Sequence, residues 1–166
     1  MGYLLTAVGF VILAAVQAGL GSVWRPFGVK PDLVLTGLIV AGVAAGPRRA
    51  LWAALAGGLA LDLVSVLPAG SQVLALGLAA PLTALRARVG DTSSIVPALA
   101  LTPVATVIAN SAQVMEIALL GRPVLWGPWL EQIIIPLTIV NTLLVPVFWL
   151  PLGLFRRRQP RFVLQR

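Results

Sequence analysis

The sequence predicts an all-α integral membrane protein of about six transmembrane helices. Of its 166 residues, 59% are hydrophobic and only 10% charged, with a mean hydropathy of +1.00. A small soluble domain has too much surface to cover with so few polar side chains. The apolar residues fall into six runs, separated by short stretches rich in Pro, Gly and Arg. A spanning helix takes about 20 residues, so six take about 120 and leave about 46 for connections and tails. Residues 1–155 therefore read as one transmembrane domain and 156–166 as a basic cytoplasmic tail.

The first run, Tyr3 to Trp24, carries small residues four apart (Ala14 and Ala18, Ala15 and Gly19), which permit close helix contact. It lacks a charged leader and a small-residue cleavage site and reads as a retained helix. Arg25-Pro26-Phe27-Gly28-Val29-Lys30-Pro31 breaks the helix, and Asp32 is placed to cap the second span, a short one ending near Ala45. Gly46-Pro47-Arg48-Arg49 turns the chain into a third span, Ala50 to Leu67. Its Ala53, Ala54, Gly57 and Gly58 form two overlapping small-xxx-small pairs. Pro68-Ala69-Gly70-Ser71 leads to span four, Gln72 to Leu85, closed by Arg86-Ala87-Arg88.

A polar loop follows, in which Thr92 or a neighbouring serine is expected to cap span five, Ile95 to Leu120. Thr102, Thr106, Asn110, Gln113 and Glu116 form a polar stripe on this helix, within about 120° of arc at 100° per residue. The connection Gly121 to Trp129 holds two tryptophans suited to a headgroup region. Span six, Leu130 to Phe155, contains Pro136, Pro146 and Pro151 and is expected to kink.

Charge sets the expected orientation. The net charge is +7. With the N-terminus inside, nine basic residues (Arg48, Arg49, Arg86, Arg88 and the tail's Arg156, Arg157, Arg158, Arg161 and Arg166) face the cytoplasm, against Arg25, Lys30 and Arg122 outside. Both termini are then cytoplasmic, and Arg156, Arg157, Arg158 and Arg161 are held at anionic lipid headgroups. Nothing suggests a nucleic-acid-binding domain.

The chain has no cysteine and no histidine. Disulfides, thiolate nucleophiles, His-dependent triads and haem or zinc ligation through these residues are thereby excluded. Five carboxylates remain: Asp32, Asp62, Asp91, Glu116 and Glu131. No nucleophile–base pair is recognisable, so no enzymatic activity, cofactor or metal is expected. Asp62 stands out, because a carboxylate near the middle of a spanning helix costs roughly 2.5 to 3.5 kcal/mol, falling toward the ends. It lies four to six residues from the expected outer end of span three, in the same leaflet as Asp32. Two readings of it stand: an ion pair with Arg25 or Lys30, or a partner-binding residue. The stripe on span five likewise lines a cavity or hydrogen-bonds to neighbouring helices, and Glu116 is expected to reach interfacial water.

The order Pro31-Asp32, Gly46-Pro47-Arg48-Arg49, then Gly57-Gly58-Leu59-Ala60-Leu61-Asp62-Leu63-Val64-Ser65 resembles the bacterial rod shape-determining protein MreD family. The matching motifs cover about residues 25 to 85. After the aspartate the sequence departs from the family's Asp-Leu-Leu-Ser-Gly followed by Pro-Leu-Gly: Ser65 leads here into Val66-Leu67-Pro68-Ala69-Gly70. The resemblance implies a non-enzymatic subunit of the cell-elongation machinery in the bacterial cytoplasmic membrane. It would bind the single-span protein MreC and be coupled to MreB filaments and peptidoglycan synthases. It also implies a fold similar to the substrate-binding subunit of energy-coupling-factor vitamin transporters, which makes such a transporter subunit the rival reading. Against that rival, the outward loops offer few polar groups beyond Arg25, Lys30 and Arg122, and the span-five stripe is the best candidate lining.

Overall fold

The computed structural model describes residues 2–20, 23–91 and 94–156, all of whose regular structure is helical. The helices are α1 (Gly2–Leu20), α2 (Leu33–Ala45), α3 (Pro47–Asp62), α4 (Ser71–Ala79), α5 (Arg86–Val89), α6 (Val96–Leu119), α7 (Trp126–Trp129) and α8 (Ile135–Arg156). Three helical stretches, Gly2–Leu20, Val96–Leu119 and Trp126–Leu152, are long and apolar enough to cross a membrane; α2 is a shorter apolar helix.

α2 is the centre of the bundle. Every residue from Leu33 to Val40 is buried, as are Gly42 and Val43. A helix apolar all round is a core helix, and α1, α3, α6 and α8 enclose this one. Its 13 residues extend only about 20 Å. The outside of the bundle is also apolar: Leu4, Leu5, Ile12, Leu59, Leu119, Leu143 and Leu150 are all exposed.

The chain passes back and forth between two ends. One carries Arg25, Lys30 and the α6–α7 connection; the other carries Arg48, Arg49, Arg86 and Arg88. Gly46 joins α2 to α3 alone, at φ 107°, a conformation open to glycine. Pro47 then starts α3, where its missing N–H costs nothing. Arg86 ties this end together, its Nη1 donating to the carbonyls of Gly42 (2.8 Å) and Val43 (3.2 Å) at the close of α2.

Small residues set how close the helices come. A Cβ on Gly57 would lie 2.7 Å from Val34 Cγ1 of α2, and one on Gly58 would lie 2.8 Å from the Val73 Cα of α4. The two adjacent glycines thus admit neighbours on different sides of α3, as their spacing suggested.

The element boundaries differ from the sequence expectation in several places, beginning with span one, whose helix ends at Leu20 and not Trp24. Span three ends at Asp62, not Leu67, because the chain turns there, with Leu63 N–H bonding the Leu59 carbonyl and Val64 N–H that of Leu61. Span four is helical from Ser71 to Val89 but in three pieces, α4, a 3₁₀ stretch (Ala80–Leu85) and α5; Pro81 has no N–H to continue the α-helical ladder. Span five begins at Val96 with Ile95 in the capping position and no side-chain cap. Thr92 lies outside the described residues, and the Ser94 hydroxyl donates to the Asp91 carbonyl instead. In span six a π-helical turn, Leu130–Ile134, precedes Pro136, as expected where a ring displaces the preceding carbonyl.

Gly58→Ala is expected to destabilise the protein by about 1 to 3 kcal/mol, since the contact is with backbone that cannot rotate away. Gly77→Ala is the control: its Cβ meets nothing within 4 Å, so helix propensity should stabilise by up to about 1 kcal/mol. Thermal unfolding in detergent would compare them, and equal midpoints would overturn the packing argument.

Candidate functional site: a polar cavity at one end of the bundle

The start of α2 draws side chains from two other helices, α1 and α8. Asp32 caps it, Oδ1 accepting from the Leu35 amide at 2.9 Å, as the Pro31-Asp32 sequence predicts. Pro31 is buried beside it. The Asp32 amide donates to Asn141 Oδ1 of α8 (2.9 Å), and the Val34 amide to Gln17 Oε1 of α1 (2.8 Å). Two of the four N–H groups that a helix start leaves unpaired are thereby satisfied by side chains distant in sequence.

Asn141 is fully buried, and its Nδ2 donates to Thr106 Oγ1 of α6 (3.2 Å). The stripe on α6 continues from there. Thr102 and Thr106 are buried and donate to carbonyls one turn back, those of Ala98 and Thr102. Asn110 Nδ2 does the same toward the Thr106 carbonyl (2.9 Å), and Gln113 Nε2 crosses to Gln72 Oε1 of α4 (2.9 Å). The stripe therefore serves both purposes its spacing allowed: its inner part bonds within the bundle, and Asn110 and Gln113 line a cavity.

That cavity has a volume of about 380 Å³ and opens at the Arg25–Lys30 end. Gln17, Lys30, Asp32, Ser65, Gln72, Asn110 and Gln113 supply its polar lining, and Leu61, Ile133 and Leu137 part of its apolar lining. A second, mainly apolar compartment shares Asn110, Gln113 and Ile133 with it and extends beneath Pro123, Leu125 and Trp129. The loops supply few of these polar groups, as their sequence suggests; α1, the start of α2, α4 and the span-five stripe supply most of the rest.

Asp62 is not an interior carboxylate. It is the last residue of α3, and its Oδ1 and Oδ2 accept from the Gln72 (2.9 Å) and Val73 (3.3 Å) amides at the start of α4. The residue preceding α4 is Gly70, which has no side chain to cap it. Asp62 performs that task from across the turn, its negative charge at the positive end of the α4 dipole. Both carboxylate oxygens of Asp62 are therefore engaged by backbone amides within the chain. Asp32 and Asp62 do share one end of the bundle.

Glu116 is partly exposed, and its Oε2 is shielded with no hydrogen-bond partner among the described residues. Glu131 is exposed, and Trp126 and Trp129 pack edge to face at 5.9 Å. Arg157, Arg158, Arg161 and Arg166 lie outside the described residues; Arg156 ends α8. Sequence reading overlooked Gln17, Gln72 and Asn141. Each is a lone amide in an apolar stretch, and a polar side chain in such a place signals a bond to a neighbouring helix.

No family model matches the chain, and no curated protein or solved structure matches it significantly.

Replacing Asn141 with Leu should leave the Asp32 amide without its partner and cost about 1 to 3 kcal/mol. Asp62→Ala should cost about 0.5 to 2 kcal/mol through loss of the α4 cap. Asp62→Asn, which keeps one acceptor oxygen, should cost less. Chemical or thermal unfolding midpoints check all three, and an Asp62→Asn loss equal to that of Asp62→Ala would contradict the capping role.

Proposed function

We propose that this chain is a non-enzymatic scaffold subunit of the bacterial cell-elongation complex, embedded in the cytoplasmic membrane and binding the single-span protein MreC. The observation that carries the reading is where the MreD-like motif residues fall. Asp32 caps α2, Gly46-Pro47 makes the one-residue turn into α3, Gly57 and Gly58 admit two neighbouring helices, and Asp62 caps α4. A pattern whose members each fix a joint of the bundle supports a family-type fold over chance recurrence of apolar runs. MreB filaments and peptidoglycan synthases would be reached through the same assembly.

The membrane setting is supported by the three span-length helices and by the many large apolar side chains on the outside of the bundle. A surface of that kind in water would be an aggregation site. In this reading six helical passes cross the bilayer and both termini are cytoplasmic, the Arg48–Arg86 end facing inward because it carries the greater basic charge. Topology reporters fused after Arg166 and within residues 121–125 should give opposite sidedness. The same sidedness at both would overturn the orientation.

The polar cavity supports a second reading, a small-molecule-binding subunit of the energy-coupling-factor transporter type. Its size falls within the roughly 300 to 1,000 Å³ of small-molecule sites, and its polar groups converge from several helices. Co-purification from native membranes separates the two. Stoichiometric recovery of MreC, together with rescue of a shape-defective strain, is expected for the scaffold. Recovery of a transporter's ATPase module without MreC would establish the alternative.

A further inference from the structure

The geometry points to a specific class of ligand for the polar cavity: a small zwitterion carrying an apolar side chain, of the size of an amino acid or dipeptide. The inference narrows the second reading above and rests on its premise that the cavity is open to solvent.

Three observations carry it. First, the cavity presents one cationic and one anionic side chain, Lys30 and Asp32, two residues apart. Lys30 already acts electrostatically on Asp32, and a zwitterion would bridge the two charges. Asp32 accepts from the Leu35 amide and is also served by the Gln17 side chain and the Val34 amide; a carboxylate offers about four acceptor positions in all, so part of its capacity is left for a ligand. Second, the amides between these charges keep unused polar atoms. Gln113 gives Nε2 to Gln72 Oε1 and Asn110 gives Nδ2 to the Thr106 carbonyl. Gln113 Oε1, Asn110 Oδ1 and Gln72 Nε2 thus remain as two acceptors and one donor on the lining. Third, the adjoining compartment is apolar, walled by Val114, Ile117, Leu125 and Trp129, and meets the polar cavity at Asn110 and Gln113. A ligand with a carboxylate for Lys30, an ammonium or N–H for Asp32 and the amide oxygens, and one apolar side chain satisfies both compartments together. A purely apolar ligand would leave these polar groups unpaired, at a cost to binding.

The absence of cysteine makes a direct test available. Ser65, on the cavity lining, is replaced in the full chain, Ser65→Cys, and reconstituted into liposomes. Its modification by a membrane-impermeant sulfonated methanethiosulfonate is followed with and without glycyl-leucine. N-acetyl-leucinamide, similar in size and apolar side chain but uncharged, is the comparison. Calorimetric titration of the unsubstituted protein with both compounds runs beside it, so that a poorly folded variant does not decide the result.

Glycyl-leucine is expected to bind and to protect Cys at this position. N-acetyl-leucinamide, and glycyl-leucine on Lys30→Gln or Asp32→Asn protein, should each bind at least about tenfold more weakly, the scale of a lost charge-assisted contact. Asp32→Asn retains a capping side chain, so its loss would report charge rather than unfolding. Ready modification with no protection, or equal binding of both compounds, overturns the zwitterion while leaving the open cavity standing. An unreactive Ser65→Cys in a protein that also shows no calorimetric binding overturns the substrate-binding reading with it.

Discussion

The ends of α2 are the constraint on which the rest of the architecture depends. A helix buried on every side has no water to take the N–H groups at its start or the carbonyls at its close, and each such group left unpaired costs about 1 to 3 kcal/mol. Here Asp32, Asn141 and Gln17 serve the start and the Arg86 guanidinium serves the close. All but the Asp32 cap also fix another element: Gln17 sets α1, Asn141 sets α8, and Arg86 sets the stretch from α4 to α5. A short apolar helix thereby dictates where four others stand.

The same chemistry recurs at α4, whose start is preceded by a glycine and capped by Asp62 from the end of α3. Polar side chains in this bundle are thus committed first to backbone. What they have left over faces the cavity. Gln72, Asn110 and Gln113 each make one internal bond and keep further hydrogen-bonding capacity, so the side chains that hold the bundle together also line its cavity. Stability and recognition therefore share residues at this end, whereas the opposite end is held mainly by the Gly46 turn and Arg86.

This division affects how the MreD-like pattern is interpreted. Asp32, Gly46, Gly57, Gly58 and Asp62 all act on this chain's own backbone or its close packing, so the pattern speaks first to fold. Partner recognition needs surfaces outside the joints, and α1 and α8 both carry exposed apolar side chains, among them Leu4, Leu5, Ile12, Leu143 and Leu150. A scaffold and a ligand-binding subunit can share one set of joints and differ in what the cavity and the flanks contact.

The sequence by itself determined the helical class, the order of the apolar runs, the Asp32 cap, the Gly46-Pro47 turn and the packing role of Gly57 and Gly58. These follow from local rules: periodicity, backbone preference and the absence of a side chain act within a few residues. It did not determine where α3 stops, because Leu63, Val64 and Val66 are as apolar as the helix before them and nothing local marks the turn at Asp62. Nor did it reveal the cavity. Gln17, Lys30, Asp32, Gln72, Asn110 and Gln113 are scattered over nearly a hundred residues, and only the crossing of five elements brings them together. Tertiary structure decided that Asp62 meets amides ten and eleven residues away, because its hydrogen-bond partners depend on how the chain returns, and pairwise spacing carries no information about that return.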